Sequence, residues 1–197
     1  MDPNISLRLA DKRDAEGALE IYTPYILNTP ITFETKVPTL SAMAYRIGQV
    51  IQVAPWLVCE NTEGICGFAY AAPHRVRTAY RWSREVSVYV KESYQRQGLA
   101  RALYAAILEI IMFQGYTNAL AGITLPNPGS VAFHESFGFN SVGVYHSVGF
   151  KFGEWHDVGW WELNLNPTGA KPGEIASLSS VVECGKLEEV LDGACFR

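Results

Sequence analysis

The chemistry in this chain is most concentrated over Val86–Ala106, an apolar strand pattern, a polar turn and then a long helical pattern. The turn reads Gln95-Arg96-Gln97-Gly98-Leu99-Ala100. A strand entering a helix through such a turn leaves several backbone N–H groups pointing outward at a positive helix end. With Gly98 allowing close approach and Arg96 adding charge at the rim, those donors would cradle a pyrophosphate. The same residues equally fit an ordinary strand–turn–helix with a solvated tip. Just upstream, His74–Arg84 crowds Arg75, Arg77, Arg81 and Arg84 among Tyr80 and Trp82. Guanidinium groups suit carboxylates and related oxyanions. Arginine interleaved with aromatics can also mark RNA contact, for which one short loop in an acidic protein is weak support.

The composition narrows the options. The 197 residues carry a formal charge of −4, with 48% apolar and 18% charged positions. A sizeable core can be buried, wholesale disorder is ruled out, and a general nucleic-acid binder is disfavoured. The length suits one domain, or one domain with an appendage. Cys59, Cys66, Cys184 and Cys195 form no CxxC and have no His pair at zinc spacing. They read as reduced structural thiols, and no metal site is expected. The N-terminus has acids where a signal peptide would be basic, and no stretch approaches a membrane span. A soluble cytoplasmic protein with neither nucleic-acid nor membrane partners is the expectation.

The elements that must position these residues follow from periodicity. Ile5–Leu9 alternates as a strand, and Asp11 caps a helix whose apolar positions run from Ala15 to Ile26, with Pro24 expected to kink or end it. A second helix opens at Pro38-Thr39. Trp56–Glu60 and Ile65–Ala72 are strands joined by a hairpin turn, and Glu85–Val90 is a third. The helix from Leu99 is stopped by Gly115. Strand Ala119–Thr124, short helix Ser130–Phe137, and strands Val142–Phe150 and Val158–Leu165 complete the order β-α-α-β-β-β-α-β-α-β-β. This is an α/β chain with a mixed sheet. From Pro167 the composition shifts to Gly, Pro and Ser before a short terminal helix, so 1–166 reads as the domain and 167–197 as a docked C-terminal extension.

Gln95–Ala100 matches the Q/R-x-x-G-x-G/A acetyl-CoA motif of the Gcn5-related N-acetyltransferase (GNAT) superfamily. The chain more closely resembles the phosphinothricin and methionine sulfoximine acetyltransferase branch, from about Ile5 to Leu165. The resemblance is carried by Ile31-Thr32-Phe33-Glu34, Pro55-Trp56-Leu57-Val58, Glu85 with Val88-Tyr89-Val90, Leu125-Pro126-Asn127, Phe133-His134-Glu135, and Gly149-Phe150-Lys151 through Trp155-His156-Asp157-Val158-Gly159. It implies an acyl-CoA N-acyltransferase fold, with a mixed, mostly antiparallel central sheet flanked by helices.

It also implies roles. Val88, Tyr89 and Val90 would offer main chain to the pantetheine of acetyl-CoA, one N–H polarising the thioester carbonyl. Gln95, Arg96, Gln97, Gly98, Leu99 and Ala100 would hold the pyrophosphate, and Asn127 and Ser130 would touch the pantetheine arm. Glu85 would take a proton from the amine, through water, and His134 would assist proton transfer, as the acid for the departing thiolate. Read alone, His134 fits a satisfied helix histidine better; the family match reverses that. Tyr104 is a second candidate acid, or a packing residue. Arg77 and Tyr80 would meet the acceptor, Phe33 would form an apolar wall, and Arg75, Arg81 and Arg84 would be solvated or at an interface.

The reading is an acetyl-CoA-dependent N-acetyltransferase acting on the α-amine of a small amino-acid-like acceptor of phosphinothricin, methionine sulfoximine or methionine sulfone type. The alternatives are another small amine or a protein N-terminus as acceptor, or a non-catalytic acyl-CoA-binding module. The branch is typically homodimeric, and Phe150, Phe152, Trp155, Trp160 and Trp161 near the last strand supply an aromatic stripe for a two-fold partner to cover. The competing cover is the tail, through Leu187, Val190 and Leu191.

Overall fold

The computed structural model describes residues 5–169 and 171–194. Cys195 lies outside them. Local signals start the helices as expected. Asp11 accepts from the Arg13 N–H at 2.7 Å, while Asp14 Oδ2 accepts from the Asp11 N–H at 2.8 Å. This reciprocal cap launches a short turn and then α1 (Ala15–Asn28). The helix runs on through Pro24 rather than ending there. Pro24 is exposed, so the carbonyl it leaves unbonded faces water, while Ile21, Tyr22 and Ile26 hold the helix to the sheet. Thr39 caps α2 (Leu40–Val50) through the Ala42 N–H.

Among the described residues, seven strands form one sheet: β1 (Ser6–Leu9), β2 (Trp56–Asn61), β3 (Gly64–Pro73), β4 (Ser83–Val90), β5 (Asn118–Leu125), β6 (Asn140–Lys151) and β7 (Glu154–Asn164), in the order β1-β2-β3-β4-β5-β7-β6. Every pairing is antiparallel except β4 with β5, which are joined by the crossover helix α3 (Leu99–Gln114). Two-residue alternation divides the strands between two cores. Trp56, Val58 and Phe68 face α1 and α2, whereas Leu57, Cys59 and Ala69 face α3. Gly115, at φ +94°, ends α3 in the left-handed region.

The decisive irregularity lies between β4 and β5. They pair only at Ser83–Glu85 with Asn118–Leu120. Beyond that, β4 stays with β3 as far as Val90, and β5 stays with β7 as far as Leu125. The two strands therefore part from Val86 onward, and Glu85 stands where they separate. Helix α4 (Pro128–Glu135) follows β5 and is capped by Asn127, whose side chain accepts from the Ser130 N–H at 3.1 Å.

The tail holds two helices, α5 (Leu178–Glu183) and α6 (Lys186–Ala194), not one. Leu178, Val181, Leu187 and Val190 are buried in the α3-side core. Helix α6 packs on α3 and reaches β1, so the expected competition for the aromatic stripe does not arise. The stripe itself is split by strand alternation. Trp161 is buried and Trp160 half-buried, while Phe150, Phe152 and Trp155 are exposed among the described residues. No described helix is long and apolar enough to cross a membrane.

Candidate active site

The parting of β4 from β5 opens a cleft of about 430 Å³, lined by Val88, Tyr89, Gln95, Arg96, Ala100, Asn127, Ser130 and His134. A continuation past Val90 and Gly98 brings it under the start of α3. The Lys91 N–H donates to the Cys66 carbonyl of β3. Two-residue alternation then turns the amides of Tyr89 and Ser87 toward β3, and those of Val88 and Val90 toward the cleft. Consistent with this, the Val90 carbonyl faces the open side and accepts from the Tyr25 hydroxyl at 2.8 Å. Tyr89 contributes its ring, packed edge-on against Tyr22 and Tyr25.

At the mouth, Arg96 and Gly98 have φ of +59° and +90°. Left-handed residues on either side of Gln97 curl the backbone ahead of α3, and the first intrahelical bond is Ala102 N–H to Gly98 O. The amides of the first helical turn remain available to an anion. Leu99 is buried, so its contribution there is limited to main chain, and the Gln97 side chain turns back to the Ser93 carbonyl. Gln95 Nε2 donates to the Tyr25 hydroxyl at 3.1 Å. An elongated open strand edge leading to free helix-terminal amides fits an acyl-pantetheine with a pyrophosphate at its far end.

His134 is buried in α4, with Nδ1 2.7 Å from the Ser130 carbonyl oxygen. Its ring stands edge-on to Tyr104, Phe133 and Phe139. Burial lowers its pKa, only partly offset by the Ser130 hydrogen bond. Tyr104 is fully buried among Phe133, Phe137 and Phe139, and its hydroxyl has no partner among the described residues. Burial raises its pKa well above the ordinary tyrosine value. Of the two, His134 lines the cleft.

Glu85 projects from β4 with its Oε1 2.8 Å from His74 Nδ1. The His74 ring packs edge-on against Tyr80 and Trp160. Arg77 is exposed and precedes the short turn Thr78–Tyr80. Arg84 corrects the expectation of a solvated arginine. On β4 it shares a face with Val86, is buried, and lies over the Tyr116 ring at 4.5 Å. Arg81 is exposed and lies over Trp82. Phe33 lies on the loop between α1 and α2, against Gly149, where an added Cβ would sit 2.1 Å from the ring. That loop is fastened by Lys151, whose buried ammonium donates to the carbonyls of Thr29 at 2.9 Å and Thr32 at 2.7 Å. Burial lowers the Lys151 pKa.

His74, Tyr25 and Lys151 were not singled out from the sequence. Tyr25 had only a helical-spacing signal, and Lys151 only its place in a matched motif. Among the described residues, no group of His, Cys, Asp and Glu is arranged to hold a metal.

Residues 7–160 match the acetyltransferase (GNAT) domain family. The chain is 35% identical to a phosphinothricin N-acetyltransferase of Streptomyces viridochromogenes over 161 residues, 82% of this chain and 88% of that protein. It is 33% identical to an L-methionine sulfoximine/L-methionine sulfone acetyltransferase of Pseudomonas aeruginosa over 169 residues, 85% of this chain and 98% of that protein. The crystal structure of a GNAT superfamily phosphinothricin acetyltransferase from Sinorhizobium meliloti, in complex with acetyl-CoA, superposes with a TM-score of 0.81 at 31% identity, covering 87% and 94% of the two chains.

Proposed function

The chain belongs to the GNAT acetyltransferase family, and on that premise we propose that it transfers acetyl from acetyl-CoA to the α-amine of a small amino acid of the phosphinothricin or methionine sulfoximine type. It is an acetyl-CoA-dependent N-acetyltransferase. The acceptor class rests on relatives named for phosphinothricin and for methionine sulfoximine and sulfone. The observation that carries the reading is the parting of β4 from β5 beneath the free amides of α3, with Glu85 at the point of separation.

In this reading the pyrophosphate sits on the amides from Gln95 to Ala100, with Arg96 at the rim. The amides of Val88 and Val90 meet the pantetheine arm and polarise the thioester carbonyl. Asn127 and Ser130 border the same arm. Arg77 and Tyr80 receive the acceptor's carboxylate, and Phe33 walls its apolar part.

An α-amino group has a pKa of about 8 and is largely ammonium at neutral pH, so it must lose a proton before attack. Glu85 takes that first proton, through water, and releases it to solvent. Once nitrogen has bonded to the carbonyl carbon, a second proton must leave it. His134, neutral at Nε2, accepts this proton and returns it to the departing sulfur. The balance is one ammonium and one thioester giving one amide, one thiol and one proton.

The same reading assigns catalysis to residues 1–166 and bracing of α3 to 167–197, in the cytoplasm. It also pairs two copies across the β6–β7 face, which is supported by the exposure of Phe150, Phe152 and Trp155 on the hairpin that ends the sheet. Sedimentation at micromolar concentration tests the pairing, and a stable monomer overturns it.

Release of CoA thiol tests the acceptor. Phosphinothricin, methionine sulfoximine and methionine sulfone are expected to turn over faster than polyamines or peptide N-termini. The opposite order overturns the acceptor class, and failure with every amine overturns the enzyme reading.

A further inference from the structure

Glu85 is already engaged before any acceptor arrives. His74 Nδ1 lies 2.8 Å from its Oε1, while Oε2 has no protein partner among the described residues. A carboxylate oxygen accepts, so an imidazole N–H is held at Nδ1. The imidazole is itself clamped. Tyr80 stands edge-on to it at 5.8 Å between centroids and Trp160 at 5.6 Å, and only 15% of the side chain is exposed. Glu85 and Tyr80 are the titratable groups in these contacts; Trp160 adds none. His74 follows the last residue of β3, and Glu85 lies on β4 opposite Ala72, so the hydrogen bond spans two strands just where β4 leaves β5.

We propose that His74 is a positioning residue for the acetyl transfer. It holds Oε1 of Glu85 so that Oε2 receives the acceptor's proton, and it couples that carboxylate to Tyr80 of the acceptor loop. This rests on the assignment of Glu85 as the base. A lone glutamate on a strand edge has several rotamers of similar energy, and only some of them present an oxygen to the acceptor amine. A directed N–H on one oxygen removes that freedom, as the carboxylate does for histidine in a hydrolase triad, here with the roles exchanged. In the step itself the amine N–H bond breaks, its electron pair stays on nitrogen for the attack, and the proton passes through water to Oε2. His74 keeps its hydrogen on Nδ1 throughout.

The test is a double-mutant cycle read by steady-state kinetics. His74→Phe keeps an aromatic ring between Tyr80 and Trp160 but removes the donor; His74→Asn restores a donor at the position of Nδ1. With wild-type Glu85, His74→Phe should lower kcat about 10- to 100-fold with acetyl-CoA KM within about twofold, and His74→Asn should recover most of the loss. In a Glu85→Gln background, His74→Phe should change kcat by less than about twofold, because His74 acts only through the carboxylate. A merely structural histidine would lower kcat equally in both backgrounds, and that result overturns the proposal, as does full kcat in His74→Phe. If Glu85→Gln loses activity while His74→Phe keeps full kcat, only the positioning role falls. If Glu85→Gln keeps full kcat, the base assignment falls with it. Thermal midpoints of all four variants against wild type identify any that fails to fold, in which case His74→Asn against His74→Gln, which moves the donor one bond outward, replaces the Phe arm with the same criteria.

Discussion

Ser130 decides which nitrogen of His134 carries a proton. Its carbonyl oxygen lies 2.7 Å from Nδ1, one helical turn away, and a carbonyl can only accept. Nδ1 therefore holds the hydrogen, and Nε2 is the basic nitrogen of the neutral ring. With burial lowering the pKa, His134 at neutral pH receives a proton before it can donate one. His134 therefore takes its proton from nitrogen before giving it to sulfur.

His134→Ala should lower kcat by about 10²–10⁴. Because the depressed pKa keeps the wild-type ring neutral, the acid limb of its kcat/KM profile should fall below the ordinary histidine value of about 6.5. A pH–rate profile from stopped-flow thiol release checks this, and a limb above that value would contradict it.

Stability should follow the same group. On acidification the unfolded chain protonates His134 near 6.5, before the folded chain does. Between the two values the unfolded state binds more protons, so stability rises with pH there. The contribution is complete above the unfolded pKa and is lost as pH falls through the window to the depressed folded value. Thermal midpoints measured from neutral pH downward should therefore fall less steeply in His134→Gln than in wild type. Equal slopes would contradict it.

Tyr104→Phe removes a buried hydroxyl that has no partner among the described residues. Loss of an unsatisfied polar group is neutral or stabilising, so the melting temperature should hold or rise. The kcat should stay within about threefold, against the 10²–10⁴ expected of a general acid. A large fall in kcat would return the acid role to Tyr104.

Gly98→Val places a β-branched side chain where φ is +90° and where the pyrophosphate is proposed to approach. Affinity for acetyl-CoA, by isothermal titration of the folded variant, should weaken at least about tenfold, the equivalent of about 1.4 kcal/mol. Unchanged affinity would remove the cradle.

Lys151→Met leaves the carbonyls of Thr29 and Thr32 without their ammonium donor and loosens the loop that carries Phe33. The acceptor KM should rise about tenfold while acetyl-CoA affinity stays constant, because a buried polar group left unpaired costs about 1–3 kcal/mol locally. Equal effects on both substrates would show that the loop serves the whole fold.

What the sequence determined by itself had a short physical range. The turn Gln95–Ala100 and the stop at Gly115 depend on neighbouring φ angles and amides, and Asp11, Thr39 and Asn127 cap within three residues. The tertiary structure decided the rest, because register and burial are relations between distant segments. Arg84 is an ordinary loop-edge arginine until β4 turns it onto Tyr116. The tail has the apolar pattern to cover an aromatic stripe, yet the larger apolar surface of α3 takes it. His74 has no motif, and only the pairing of β3 with β4 brings its Nδ1 to Glu85. Nor does any local pattern encode the cleft. It exists because β4 and β5 each remain bonded to a different neighbour, so the two strands must separate where those obligations diverge.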